Sequence, residues 1–163
     1  MSAFEWFEGL RAEGERIRRI EQDIAFLESS IAPHGQGFEP MGHGSSTDPM
    51  VRMSMVSAQV TKLKRGLPTI KRKHAAKVEH ARHILYGRSG HGGLARAQVS
   101  RGGTRYALAV DLLHARYIDG ESWSAIARRY NPDTPNLTMW CKRRAQLICK
   151  EIDRIGMDAL VDT

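Results

Sequence analysis

Near the carboxy terminus, Thr138 and Lys142 stand four residues apart, as do Met139 and Arg143, with Asn136 just ahead and Arg144 just behind. On a helix, four-residue spacing puts each pair on one side. Amide, hydroxyl and guanidinium groups presented there can hydrogen-bond base edges, and neighbouring cations can neutralise phosphates. The chemistry expected is recognition of duplex DNA. Asn136, Thr138, Met139 and Arg143 are assigned to bases, and Arg128, Arg129, Lys142 and Arg144 to phosphates that set the register.

Other chemistries are disfavoured. His74, His80, His83, His91 and His114 invite a metal, above all His80 and His83 three apart, but no Cys or carboxylate completes a set at ligand spacing. Cys141 and Cys149 are eight apart without a metal-type pairing and read as reduced, partly buried small residues. The Gly-rich stretch from Gly87 to Gly103 lacks the Gly-Lys-Ser/Thr ending of a phosphate-binding loop. No nucleophile, base and orienting group occur together at motif spacing, so neither an enzyme nor a cofactor is expected.

Three helices would position the recognition set. In "TRYALAVDLLHARYIDG", Leu108, Leu112 or Leu113, and Tyr117 form a helical stripe, and Gly120 suits a left-handed terminus. Ser122 can cap the next helix, where Trp123, Ile126, Ala127 and Tyr130 recur at three- and four-residue steps while Arg128 and Arg129 face outward. Asn131, Pro132 and Asp133 break that helix. Thr134 is a good cap for a third, and Pro135 fits its first position, where a missing N–H removes no helical bond. Leu137, Cys141, Ala145, Ile148, Ile152 and Ile155 make the inward stripe of this third helix, with Trp140 near the boundary between faces.

Upstream, Leu10, Ile17, Ile24 and Ile31 fall seven apart, with Ile20 and Leu27 between them, a heptad seam ended by Ser29, Ser30 and Pro33. Ala32 to Pro49 is dense in Gly, Pro and Ser and reads as a mobile connection. From about Met50 to Tyr86 a second seam uses Val56, Val60, Leu63, Leu67, Ile70, Val78 and Leu85, and Gly66 and Pro68 are expected to kink it or divide it into two pieces. Either the two seams face each other in an antiparallel hairpin or the first pairs with its copy in a dimer. Gly87 to Gly103 reads as a Gly/Arg-rich linker, or as an arm that orders along a DNA backbone. The chain is therefore expected to be all-α: a hairpin or coiled coil over 1–86, a linker over 87–103 and a helix-turn-helix module over 104–156.

Charge agrees with this division. The formal net charge is +7 and the sequence pI about 9.8. From Met1 to Ile31 seven acids outnumber four bases, whereas from Lys62 to Arg105 twelve bases meet the single acid Glu79. A basic stretch of this kind fits a polyanionic partner. No apolar run is long enough to cross a bilayer, and the amino terminus carries acids and aromatics in place of a signal peptide's bases and apolar core. A cytoplasmic protein with no membrane partner is expected.

"RYIDGESWSAIARRY" resembles the helix-turn-helix of sigma factor region four: an Arg-Tyr pair, an acidic-Gly turn, an aromatic and then Ile-Ala. Over most of its length the chain resembles small phage-encoded regulators of the RinA-like late-transcription type. The shared features are the helix from Leu10 to Ile31, the Gly/Ser-rich connection, the second helix, "ILYGRSGHGGLAR" and "RYIDGESW". "NPDTPNLTMWCKRRA" departs from such modules, which have a shorter turn there. The resemblance implies sequence-specific DNA binding that controls phage or prophage genes in a bacterial host, with contact with host RNA polymerase; because a single module of this size gives weak specificity, a homo-oligomer is expected, with a dimer favoured. The alternative is a DNA-packaging component resembling a small terminase subunit, which would assemble as a ring.

Overall fold

The computed structural model describes residues 1–31, 49–88, 92–99, 107–130 and 137–161, and the described chain is all-α. In chain order the helices are α1 (Ala3–Ile31), α2 (Pro49–Tyr86), α3 (Gly93–Val99), α4 (Ala107–Leu113), α5 (Trp123–Tyr130), α6 (Leu137–Ile155) and α7 (Met157–Val161). A π-helical turn over His114–Ile118 extends α4. Among the described residues no helix is long and apolar enough to cross a membrane.

Packing divides the chain into two units, residues 1–15 with 73–163, and residues 16–72. These do not coincide with the segments drawn from composition, because the two ends of the chain share one core. In the first unit Ala3, Phe7 and Leu10 of α1 are buried in one cluster with Ala81, Ile84 and Leu85 of α2, Leu94 of α3, Tyr117, and Ile148 and Ile152 of α6. A fully buried Phe or Leu contributes about 1.5–3 kcal/mol, which a short amphipathic stretch gains only by finding such a pocket. The start of α1 is held polar-to-polar as well. Ser2 Oγ accepts from Glu5 N–H (3.3 Å) and Glu5 Oε2 from Ser2 N–H (2.8 Å), a reciprocal cap. Asp153 Oδ1, from α6, accepts from Ala3 N–H at 2.6 Å.

Part of the stretch expected to be linker is folded. Gly93–Val99 is helical and Leu94 is fully buried. Gly93 has φ +75°, and a Cβ there would lie 2.2 Å from Gly87 N and 2.5 Å from the Tyr86 carbonyl carbon. Here glycine serves as a close-approach residue that seats α3 against the end of α2. His91 and residues 100–106, between α3 and α4, lie outside the described set.

In the second unit, Ile17, Ile24 and Val60 are buried, and Val56, Leu63, Leu67 and Ile70 are half-buried, as the two seams require. Glu28 pairs with Lys64 at 2.5 Å, and Glu21 pairs with Lys71. Exposed pairs of this kind are worth about 0–1 kcal/mol each, so they select register more than they add stability. Contrary to the expectation of two pieces, α2 runs unbroken through Gly66 and Pro68. Half-buried Leu67 and Ile70 flank the proline. Their continuous seam offsets the ring's cost of about 3 kcal/mol.

Candidate nucleic-acid interface

α4 and its π turn sit between two apolar clusters. Leu113 and Tyr117 enter the large core, while Leu112 and Ala115 join Ile126, Ala127 and Cys141 in a smaller one, with Trp123, Tyr130 and Leu137 packed against it. The wider π turn spreads consecutive residues over both sides, so that Ala115, Arg116 and Tyr117 are all buried. The spacing of Leu112 or Leu113 and Tyr117 predicts an ordinary helical period here, which the π turn replaces. The helix ends as expected at Gly120, with φ +73°, and Glu121 N–H donates to the Ala115 carbonyl at 2.9 Å. Ser122 then caps α5, its Oγ accepting from Ala125 N–H at 3.1 Å.

Arg116 is the residue that sequence reasoning passed over. It is buried, donates from Nη1 to the Glu121 carbonyl at 2.9 Å, and lies with Cζ 4.9 Å from the Trp123 ring centroid. Desolvation, followed by repulsion from Arg11, pushes its pKa below the usual arginine range. It fastens the turn between α5 and the π turn that extends α4. Its only sequence signal was the Arg-Tyr pair. Beside it the Tyr117 phenol donates to Glu8 Oε1 at 2.9 Å, and desolvation, then that hydrogen bond, drives its pKa well up.

α6 buries Cys141, Ala145, Ile148 and Ile152 and half-buries Leu137 and Ile155, the stripe read from the sequence. Cys149 is buried as well, which widens the stripe. Both cysteines are free and fully buried rather than partly so. Desolvation raises both thiols, Cys149 to about 12, which suits apolar filling and not nucleophilic work.

The expected contact residues fall as follows. Met139, Lys142 and Arg143 are exposed on α6, Thr138 and Arg144 are half-buried, and Trp140 is 44% exposed. Arg128 and Arg129 are exposed at the end of α5. Arg129 is ion-paired with Glu121, and Arg128 Nε donates to the Ser124 carbonyl at 3.3 Å. Arg129 must exchange Glu121 for a phosphate to act as expected. Asn136, the break at Asn131–Asp133, the Thr134 cap and Pro135 lie outside the described residues, as does the side chain of Leu108.

Arg143 also lines a groove of about 590 Å³ with Phe4, Gln146, Leu147 and Lys150. Leu147 is 57% exposed, a feature the periodicity did not flag. Of the histidines, His83 Nε2 lies 3.3 Å from Glu79, His114 Nε2 3.5 Å from Asp119, and His80 stacks edge-on against Trp6 at 5.6 Å. Among the described residues no group of three or more His, Cys, Asp or Glu could hold a metal ion. Comparisons with protein-family models, curated proteins and solved structures gave no match.

Proposed function

We propose that this chain is a sequence-specific DNA-binding transcriptional regulator in which α4 with its π turn, α5 and α6 act as a helix-turn-helix module. The observation that carries this reading is the division of α6: Cys141, Ala145 and Ile148 are buried while Met139, Lys142 and Arg143 on the other side are open to solvent. Capping by Ser122 and the left-handed Gly120 support the short, sharp entry into α5 that such a module uses. In this reading the start of α6 enters the major groove, Arg143 with Asn136, Thr138 and Met139 reads bases, and Arg128, Arg129, Lys142 and Arg144 hold phosphates.

The resemblance to RinA-like phage regulators extends the proposal to control of phage or prophage genes and to contact with host RNA polymerase. The pairs Glu28–Lys64 and Glu21–Lys71, in which numbers rise on one helix as they fall on the other, support an antiparallel hairpin over 16–72. Phe26, Met53 and Met55, each at least half exposed, favour assembly with further copies. A sedimenting dimer fits the regulator, and a ring of eight or more fits the packaging alternative.

The test is selection of a bound site from a random duplex library, followed by fluorescence anisotropy on the selected and a scrambled duplex. Arg143→Ala should reduce discrimination between them by about 1–3 kcal/mol, the value of one bidentate base contact. Equal losses on both duplexes would remove Arg143 from the base-reading set.

A further inference from the structure

Lysines and arginines of α2 have two different fates. From Pro49 to Val78 the helix holds no acid at all. Lys64 and Lys71 turn toward α1 and pair with Glu28 and Glu21. Lys62, Arg65 and Arg72 are exposed and meet no acid among the described residues. Their spacing of three and seven, with Thr69 between them, places them on one face, away from Val60, Leu63, Leu67 and Ile70. Over residues 16–72 nine bases stand against five acids, so this unit carries a net +4 of the chain's +7.

The same face opens into a shallow groove of about 690 Å³ lined by Ser54, Ser57, Thr61, Lys62, Arg65 and Gly66. Ala58 completes the lining, and no large apolar side chain stands among these hydroxyls and cations, an arrangement suited to phosphate oxygens and not to a bilayer. Ten residues of helix span about 15 Å, and a duplex presents about four phosphates per strand over that length.

We propose that the Lys62–Arg65–Arg72 face of α2 is a second, sequence-independent contact for duplex DNA, one that binds the phosphodiester backbone. The proposal rests on duplex DNA being the ligand and adds a surface outside the helix-turn-helix module. Lys64 and Lys71, although on the same helix, are excluded from it because their charge is already matched by glutamate.

The experiment is anisotropy of the full chain with a labelled mixed-sequence 30-bp duplex (about three helical turns) over a salt series. Lys62→Gln, Arg65→Gln and Arg72→Gln combined should reduce the slope of log K against log salt by about 2–3, at about 0.9 per phosphate contact, and weaken binding by about tenfold or more in low salt. The ratio between selected and scrambled duplex should not change. Lys64→Gln with Lys71→Gln should leave the slope intact, and far-UV melting of each variant checks that the fold persists. An unchanged slope in the triple variant, or an equal loss per charge in the Lys64/Lys71 variant, would overturn the proposal. If Arg143→Ala is neutral while the triple variant still lowers the slope, the α6 reading falls and this one stands. A preserved site preference with a slope indifferent to the triple variant gives the converse. Absence of duplex binding by the unaltered chain removes both.

Discussion

Replacing Tyr117 by Phe removes one oxygen from the core and asks whether α1 is bound to the carboxy-terminal helices as described. Tyr117 is 2% exposed, its ring lies 5.4 Å from that of Phe7, and its hydroxyl donates to Glu8 Oε1 at 2.9 Å across 109 residues of sequence. The apolar contacts survive the change, so the loss isolates the hydrogen bond. A bond to a charged acceptor contributes about 1.5–3 kcal/mol, and Glu8, half-buried, recovers only part of that from water. For a chain of this size each kcal/mol shifts Tm by about 2–4 °C, giving an expected fall of about 3–12 °C. Urea unfolding followed by circular dichroism supplies the free energy, and a cycle with Glu8→Gln supplies the coupling. A loss within about 0.5 kcal/mol of zero, or no coupling with Glu8, would refute the packing of α1 against the π turn.

Three further outcomes are expected. Pro68→Ala restores a donor for the Lys64 carbonyl inside α2 and should stabilise the chain by up to about 3 kcal/mol, read as a higher urea midpoint. Gly93→Ala puts a methyl group into the backbone of Tyr86 and Gly87 at a positive φ and should destabilise by more than about 1 kcal/mol, with thermal melting as the readout. Cys149 is raised from 9.0 to about 12 and Tyr117 is raised above 10.0, so both hold their protons more tightly folded than unfolded. The stability this linkage supplies is complete below about pH 9 and is lost as pH climbs toward 12, by up to about 1.4 kcal/mol per pH unit and group. Urea midpoints at about pH 8 and about pH 11 should show that decline, and Cys149→Ala should make it shallower.

Local signals were readable wherever one side chain acts on its own backbone. Gly120, the Ser122 cap and the α6 stripe needed only helical period and capping chemistry, and each stands where it was expected. Pro68 was misleading because its penalty is local while the seam that overrides it is contributed by two helices. Leu94 and Gly93 were hidden in a composition that reads as linker, since a seven-residue helix held by one leucine and one close backbone approach leaves almost no periodic trace. Arg116 was hidden for a related reason: a buried cation is recognised by the carbonyl and indole that receive it, and neither is marked by spacing.

The order of amino acids alone determined that the described chain would be helical, where its turn into α5 would form, and which side of α6 would be apolar. Those properties depend on interactions within a few residues, whose geometry the backbone imposes. Only the tertiary structure decided that Ala3, Phe7 and Leu10 share a core with α6, and that lysines 64 and 71 are matched by glutamate while Lys62, Arg65 and Arg72 are left to solvent. Such choices depend on distances between residues far apart along the chain. A charge or an apolar side chain has the same identity in the sequence whether its partner is a carboxylate, a core or water.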